Sequence, residues 1–118
     1  MDTEKNNPRT TIENQIKNCP ILLYMKGSPE FPQCGFSARA VQILADCGLK
    51  FSYVDILQNP DIRRELPIYA NWPTFPQLYV AGELLGGSDI MVDMHNQGQL
   101  QEKLQQAVDA APATKDVS

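Results

Sequence analysis

Cys34 lies in the segment from Lys26 to Ser37, between an apolar run, Ile21 to Met25, and a stretch with helical spacing. A strand that ends in a Gly/Pro loop, and then delivers a cysteine to the first turn of a helix, sets the sulfur among unpaired backbone N–H groups. The positive end of the helix dipole lies there too, and both favour a thiolate. Cys34 is therefore the candidate reactive thiol. Lys26, at the strand's carboxyl end, adds a positive charge beside it. Ser37 occupies the position where a Cys-x-x-Cys pair has its second sulfur, so Cys34 cannot expel a mixed disulfide with a neighbouring thiol. Two uses remain: exchange with an external thiol, or metal ligation.

The bulk composition limits who can meet that thiol. A chain of 118 residues, 42% hydrophobic and 20% charged, is expected to make one domain with a real core. A net charge of −4 argues against nucleic acid or an anionic membrane as partner. No apolar run approaches the length of a membrane span, and the polar, acidic first residues carry neither a secretory h-region nor an Arg-rich transit pattern. Three cysteines, Cys19, Cys34 and Cys47, are too few for a disulfide scaffold and suit a reducing compartment, so a cytoplasmic location is expected.

The elements that must position Cys34 follow from periodicity. Residues 1–10 are read as a flexible tail, 11–110 as the domain and 111–118 as a disordered tail. Thr10 or Thr11 caps a short helix with Ile12 and Ile16 on one face. Ile21 to Met25, apolar without alternation, is a strand covered on both faces. Phe36, Ala40, Val41, Leu44 and Ala45 recur at helical spacing over 34–47, with Gly48 as terminator. Phe51 to Ile56 alternates as a second strand, parallel to the first. Asn59 and Pro60 start a helix carrying Ile62, Leu66 and Tyr69. The prolines Pro73 and Pro76 forbid an ordinary central strand before Gln77. Leu78 to Val80 and Leu84 to Leu85 then pair as a hairpin across Ala81 to Glu83. Ser88 or Asp89 caps a helix with Ile90, Val92 and Met94 as its apolar members, and Leu100, Leu104 and Val108 line the last helix.

That order of elements, with a cysteine after the first strand and a proline leading the third, resembles the thioredoxin fold. Cys34-Gly35-Phe36-Ser37, with Lys26 upstream, Trp72 to Pro76 in the middle and Gly86-Gly87-Ser88-Asp89 late, resembles the monothiol glutaredoxins, specifically their short single-domain bacterial members. The match covers about residues 11–108. It implies an α/β, thioredoxin-like domain with a four-stranded mixed sheet flanked by helices. It implies Cys34 as the reactive thiol, and Lys26 and Arg63 as the hold on the glycyl carboxylate of glutathione. The backbone of Phe75, before a cis Pro76, is implied to pair with the glutathione cysteine, and Gly87, Ser88 and Asp89 to receive the γ-glutamyl end. Such roles agree with the physics of an anionic tripeptide, which suits cationic side chains at one end and helix-terminal N–H groups at the other.

The resemblance also implies a [2Fe-2S] cluster held in a homodimer by Cys34 of each chain and two glutathione thiolates, BolA-type proteins as heterodimer partners, and apo iron–sulfur proteins as recipients. The alternative is an enzyme that deglutathionylates protein mixed disulfides through Cys34. In one place the chain departs from many members of the family: Ser88 stands where they carry a cysteine, so no internal disulfide can form between Cys34 and that position. Cys19 and Cys47 are read as structural, Arg64 as a surface residue, and His95, which has no partner at zinc spacing, as a helix-surface residue. Trp72 is open between core packing and a share in ligand contact.

Overall fold

The structure, a computed structural model, describes residues 7–111. Its elements are α1 (Pro8–Asn18), β1 (Ile21–Met25), α2 (Gly35–Cys47), β2 (Ser52–Asp55), α3 (Pro60–Ala70), β3 (Gln77–Val80), β4 (Glu83–Gly86), α4 (Ser88–Asn96) and α5 (Leu100–Ala110). The strands form one mixed sheet in the order β2-β1-β3-β4. β1 is parallel to β2 and antiparallel to β3, and β3 and β4 pair as the expected hairpin. This is the four-stranded mixed sheet that the sequence implied.

All five residues of β1 are buried because both faces of the sheet are covered. Successive side chains in a strand point to opposite faces. Ile21, Leu23 and Met25 accordingly join a cluster with Ala40, Ile43 and Leu44 of α2, Met91 of α4, and Leu100 and Leu104 of α5. Leu22 and Tyr24 join Ile12 and Ile16 of α1 and Ile62 and Leu66 of α3 on the other face. Burying each such large apolar side chain contributes about 1.5–3 kcal/mol, which fixes the strand's register and the direction in which it delivers Lys26.

Several expectations need correction. The first helix begins at Pro8, capped by the Asn7 side chain, which accepts the Arg9 N–H at 2.9 Å. Thr10 and Thr11 are therefore helical, and the expected tail gives up residues 7–10. Proline at the first helical position loses no hydrogen bond, so Asn7 and Pro8 make the stronger start signal. Residues 1–6 and 112–118 lie outside the described residues. Phe36, assigned to the apolar stripe of α2, is 62% exposed; Ile43 is buried there instead, and Ala45 is exposed. In α4 the most deeply buried apolar residue is Met91, with Ile90, Val92 and Met94 only partly covered. The cap of α4 is Gly87, and neither Ser88 nor Asp89 closes a side-chain cap. Asn59 does stand before Pro60, but its amide donates to the Asp55 carbonyl at 2.9 Å instead of capping α3.

Candidate functional site

The sheet registers bring four strand ends to one edge. β1 ends there at Met25, the parallel β2 at Asp55, the antiparallel β3 begins there at Gln77, and β4 ends there at Gly86. The amino ends of α2 and α4 follow from β1 and β4, so both helices present free N–H groups at that edge.

Between them lies a cleft of about 710 Å³ lined by Lys26, Cys34, Arg63, Phe75, Gly87, Ser88 and Asp89, with Trp72, Thr74 and Phe36 among the others. All seven residues assigned from the sequence are therefore neighbours of one cavity. Arg64 turns away and pairs with Asp61 at the surface.

Cys34 is the N-cap residue of α2 and is partly exposed. The thiol closes no side-chain cap bond, but the ionised sulfur is favoured. Burial pushes the thiol up; against it act the backbone N–H and hydroxyl of Ser37, then the Phe36 N–H, then the Lys26 charge, and the net direction is down. This is the expected helix-start effect, with Lys26 as the weakest named contributor. Ser37 does more than leave a sulfur out. It is fully buried, and its oxygen accepts the Lys26 N–H at 3.1 Å while its hydroxyl faces Cys34.

The loop before Cys34 is held by a doubled-back backbone. The Gln33 N–H donates to the Lys26 carbonyl at 2.8 Å, and Gly27 bridges to Pro32. Gly27 has φ +93°, and a Cβ there would stand 2.5 Å from the Phe31 carbonyl oxygen, so only glycine fits. Asp55 Oδ1 accepts from the N–H groups of Gly27 and Leu57, each at 2.9 Å, tying the loop to the end of β2. Across the cleft the Phe75–Pro76 bond is cis, as the family resemblance implied. Gly87 stands close to this segment: a Cβ there would be 3.3 Å from the Pro76 carbonyl oxygen. The Trp72 indole N–H is buried beside it without a partner among the described residues.

A family model described as Glutaredoxin matches residues 21–85, more than half of the chain. The chain belongs to the glutaredoxin family. Glutaredoxin 4 of Escherichia coli (strain K12) is 66% identical over 95 residues, 80% of this chain and 83% of that protein. Glutaredoxin 4 of Pasteurella multocida (strain Pm70) is 67% identical over 93 residues, 79% of this chain and 85% of that one. Among solved structures, reduced poplar apo GrxS14 superposes with a TM-score of 0.74 at 44% identity, covering 86% of this chain and 94% of that one. The fold is thus the thioredoxin-like glutaredoxin fold, and with Ser37 in the fourth motif position this glutaredoxin is of the monothiol type.

The donor set of this glutaredoxin restricts what it can ligate alone. Among the described residues no group of three or more His, Cys, Asp or Glu side chains is placed to hold a metal ion. Cys47 lies in the core, where burial first and Asp46 second push its thiol up, as befits a structural residue. Cys19 lines a different cleft, with Pro20 and Tyr69. His95 is a half-exposed surface residue, 3.8 Å from Asp46. Sequence reasoning missed Asp55, Gln77 and the active part played by Ser37. Gln77 gave a legible signal as a lone amide opening an apolar strand; Ser37 gave one as the third residue of the helix that Cys34 caps.

Proposed function

We propose that this monothiol glutaredoxin binds glutathione in the cleft beside Cys34 and, as a cluster-loaded homodimer, carries a [2Fe-2S] cluster to apo iron–sulfur proteins in the cytoplasm, with a BolA-type protein as heterodimer partner. The observation that carries the reading is a single low-pKa, partly exposed thiol in a cleft whose position 37 is a serine. A [2Fe-2S] cluster takes four sulfur ligands. One chain supplies Cys34, so two chains supply two, and the remaining pair must come from bound thiols. Glutathione fits that role: Lys26 and Arg63 suit its glycyl carboxylate, the Phe75 backbone its cysteine, and the α4 start at Gly87 to Asp89 its γ-glutamyl carboxylate.

A second reading is supported by the lowered Cys34 thiol itself. The Cys34 thiolate attacks a protein–glutathione disulfide, the protein leaves as its thiolate, and glutathione remains on Cys34. A second glutathione thiolate attacks that sulfur and leaves as oxidised glutathione, regenerating the Cys34 thiolate.

Anaerobic reconstitution with iron, sulfide and glutathione, followed by visible spectroscopy and mass measurement, decides between them when turnover of a mixed disulfide is assayed on the same sample. A coloured dimer that loses its cluster in Cys34→Ser and when glutathione is withheld is the expected result. A colourless monomer with brisk turnover would establish the enzyme reading instead.

A further inference from the structure

Among the described residues only three buried ones have polar side chains without an aromatic ring: Ser37, Gln77 and Ser88. All three stand at the cleft edge. Burying an amide without partners is costly, so its partners show what it is held for.

Gln77 opens β3, is fully buried, and uses both ends of its amide. The nitrogen donates to the carbonyls of Trp72 at 3.0 Å and Thr74 at 3.3 Å. The oxygen accepts from the Tyr79 hydroxyl at 3.0 Å. The orientation is unambiguous, since two carbonyls can face only a donor. Burial first, and Tyr69 second, push the Tyr79 hydroxyl up to about 12, which keeps it a neutral donor at the other end.

The segment so held, Trp72 to Phe75, belongs to no helix or strand, and Pro73 offers no N–H. Its near end is tied by the Trp72 N–H to the Pro67 carbonyl at 3.1 Å. Beyond that, Gln77 is the side chain that fixes its carbonyls. The N–H and carbonyl of Phe75 take no partner among the described residues, which leaves them open to an extended peptide in the cleft.

We propose that Gln77, oriented by Tyr79, is the positioning residue that holds the Trp72–Phe75 backbone in place to pair with an extended thiol tripeptide. The inference rests on reading the cleft as a glutathione site. Gln77 touches no ligand and acts through the carbonyls of Trp72 and Thr74.

The test is Gln77→Met, which keeps the chain length and removes both amide functions. Glutathione affinity is measured by calorimetry, amide resonances by ¹H–¹⁵N NMR, and Cys34 alkylation against pH. The expected result is a roughly tenfold weaker glutathione affinity. It should come with shifted Thr74 and Phe75 amide resonances and an unchanged alkylation profile. A folded Gln77→Met that binds glutathione as the unmodified protein does overturns the proposal. If that variant does not fold, Tyr79→Phe decides: a roughly threefold loss supports the proposal, and an unchanged affinity overturns it. An unmodified protein with no saturable glutathione binding sinks the underlying reading, and the inference with it.

Discussion

The Ser37 oxygen accepts the Lys26 backbone N–H at 3.1 Å, so the residue three positions after the reactive thiol fastens the start of the loop that precedes it. A cysteine at position 37 would place a sulfur, a weaker acceptor, at that buried point. The serine thus has two consequences at once: it removes internal disulfide exchange, and it couples the Lys26 backbone to the first turn of α2.

Ser37→Ala is expected to raise the Cys34 thiol pKa and slow its alkylation at neutral pH, because a hydroxyl that favours the thiolate is lost. Leaving the Lys26 N–H without an acceptor should also cost about 1–2 kcal/mol of stability, read by denaturant unfolding. The pH dependence has a definite sign. The folded-state thiol is lowered, so its ionised form contributes stability that is present above the unfolded-chain value of about 8.5 and lost as pH falls through the folded value. The melting temperature of the unmodified protein minus that of Cys34→Ala should therefore rise with pH across this window. The effect will be small, because solvent screens a partly exposed sulfur. A difference that stays flat or falls would contradict the lowered thiol.

Gly27→Ala tests the loop by itself. With φ at +93° and the Phe31 carbonyl oxygen 2.5 Å from the new Cβ, the backbone must open. A stability loss of at least about 1–3 kcal/mol is expected, together with loss of the Gln33-to-Lys26 hydrogen bond as an exchange-protected amide. A variant with an unchanged melting temperature and a protected Gln33 amide would show that the loop is not held as described.

The legible part of this protein is the part set by local periodicity and backbone chemistry. β1 was readable because five apolar residues in a row leave no face for water, and the Phe75–Pro76 segment because prolines exclude ladder hydrogen bonds. Phe36 misled because helical spacing shows which residues share a face, not whether that face is covered; at the first turn of α2 it borders the open cleft. Ser37 and Gln77 left a signal in the sequence, one as the third residue of the helix that Cys34 caps and the other as a lone amide opening an apolar strand, but neither signal names the backbone groups they hold. Asp55 was silent because it works through a backbone group distant in the chain. The Asp55 bond to Gly27 spans 28 residues, and no spacing rule reports such a pair.

Lys26→Gln and Arg63→Gln separate charge from packing at the cleft. Both residues line it, but Lys26 is half-buried whereas Arg63 is exposed. Loss of a charge-assisted contact costs about 1.5–3 kcal/mol when sheltered and under about 1 kcal/mol when solvated. Lys26→Gln should therefore weaken glutathione binding by roughly tenfold or more, and Arg63→Gln by a few-fold. Both losses should shrink as salt is raised, and faster for Arg63, whose charge is open to screening. Only Lys26→Gln should also move the Cys34 alkylation profile, and that toward higher pH, since the Lys26 charge is among the groups that lower the thiol. Calorimetric titration with glutathione at two ionic strengths, paired with alkylation rates, measures all three effects. Equal losses from the two variants, or an alkylation shift in Arg63→Gln, would show that the two cations do not divide the work in this way.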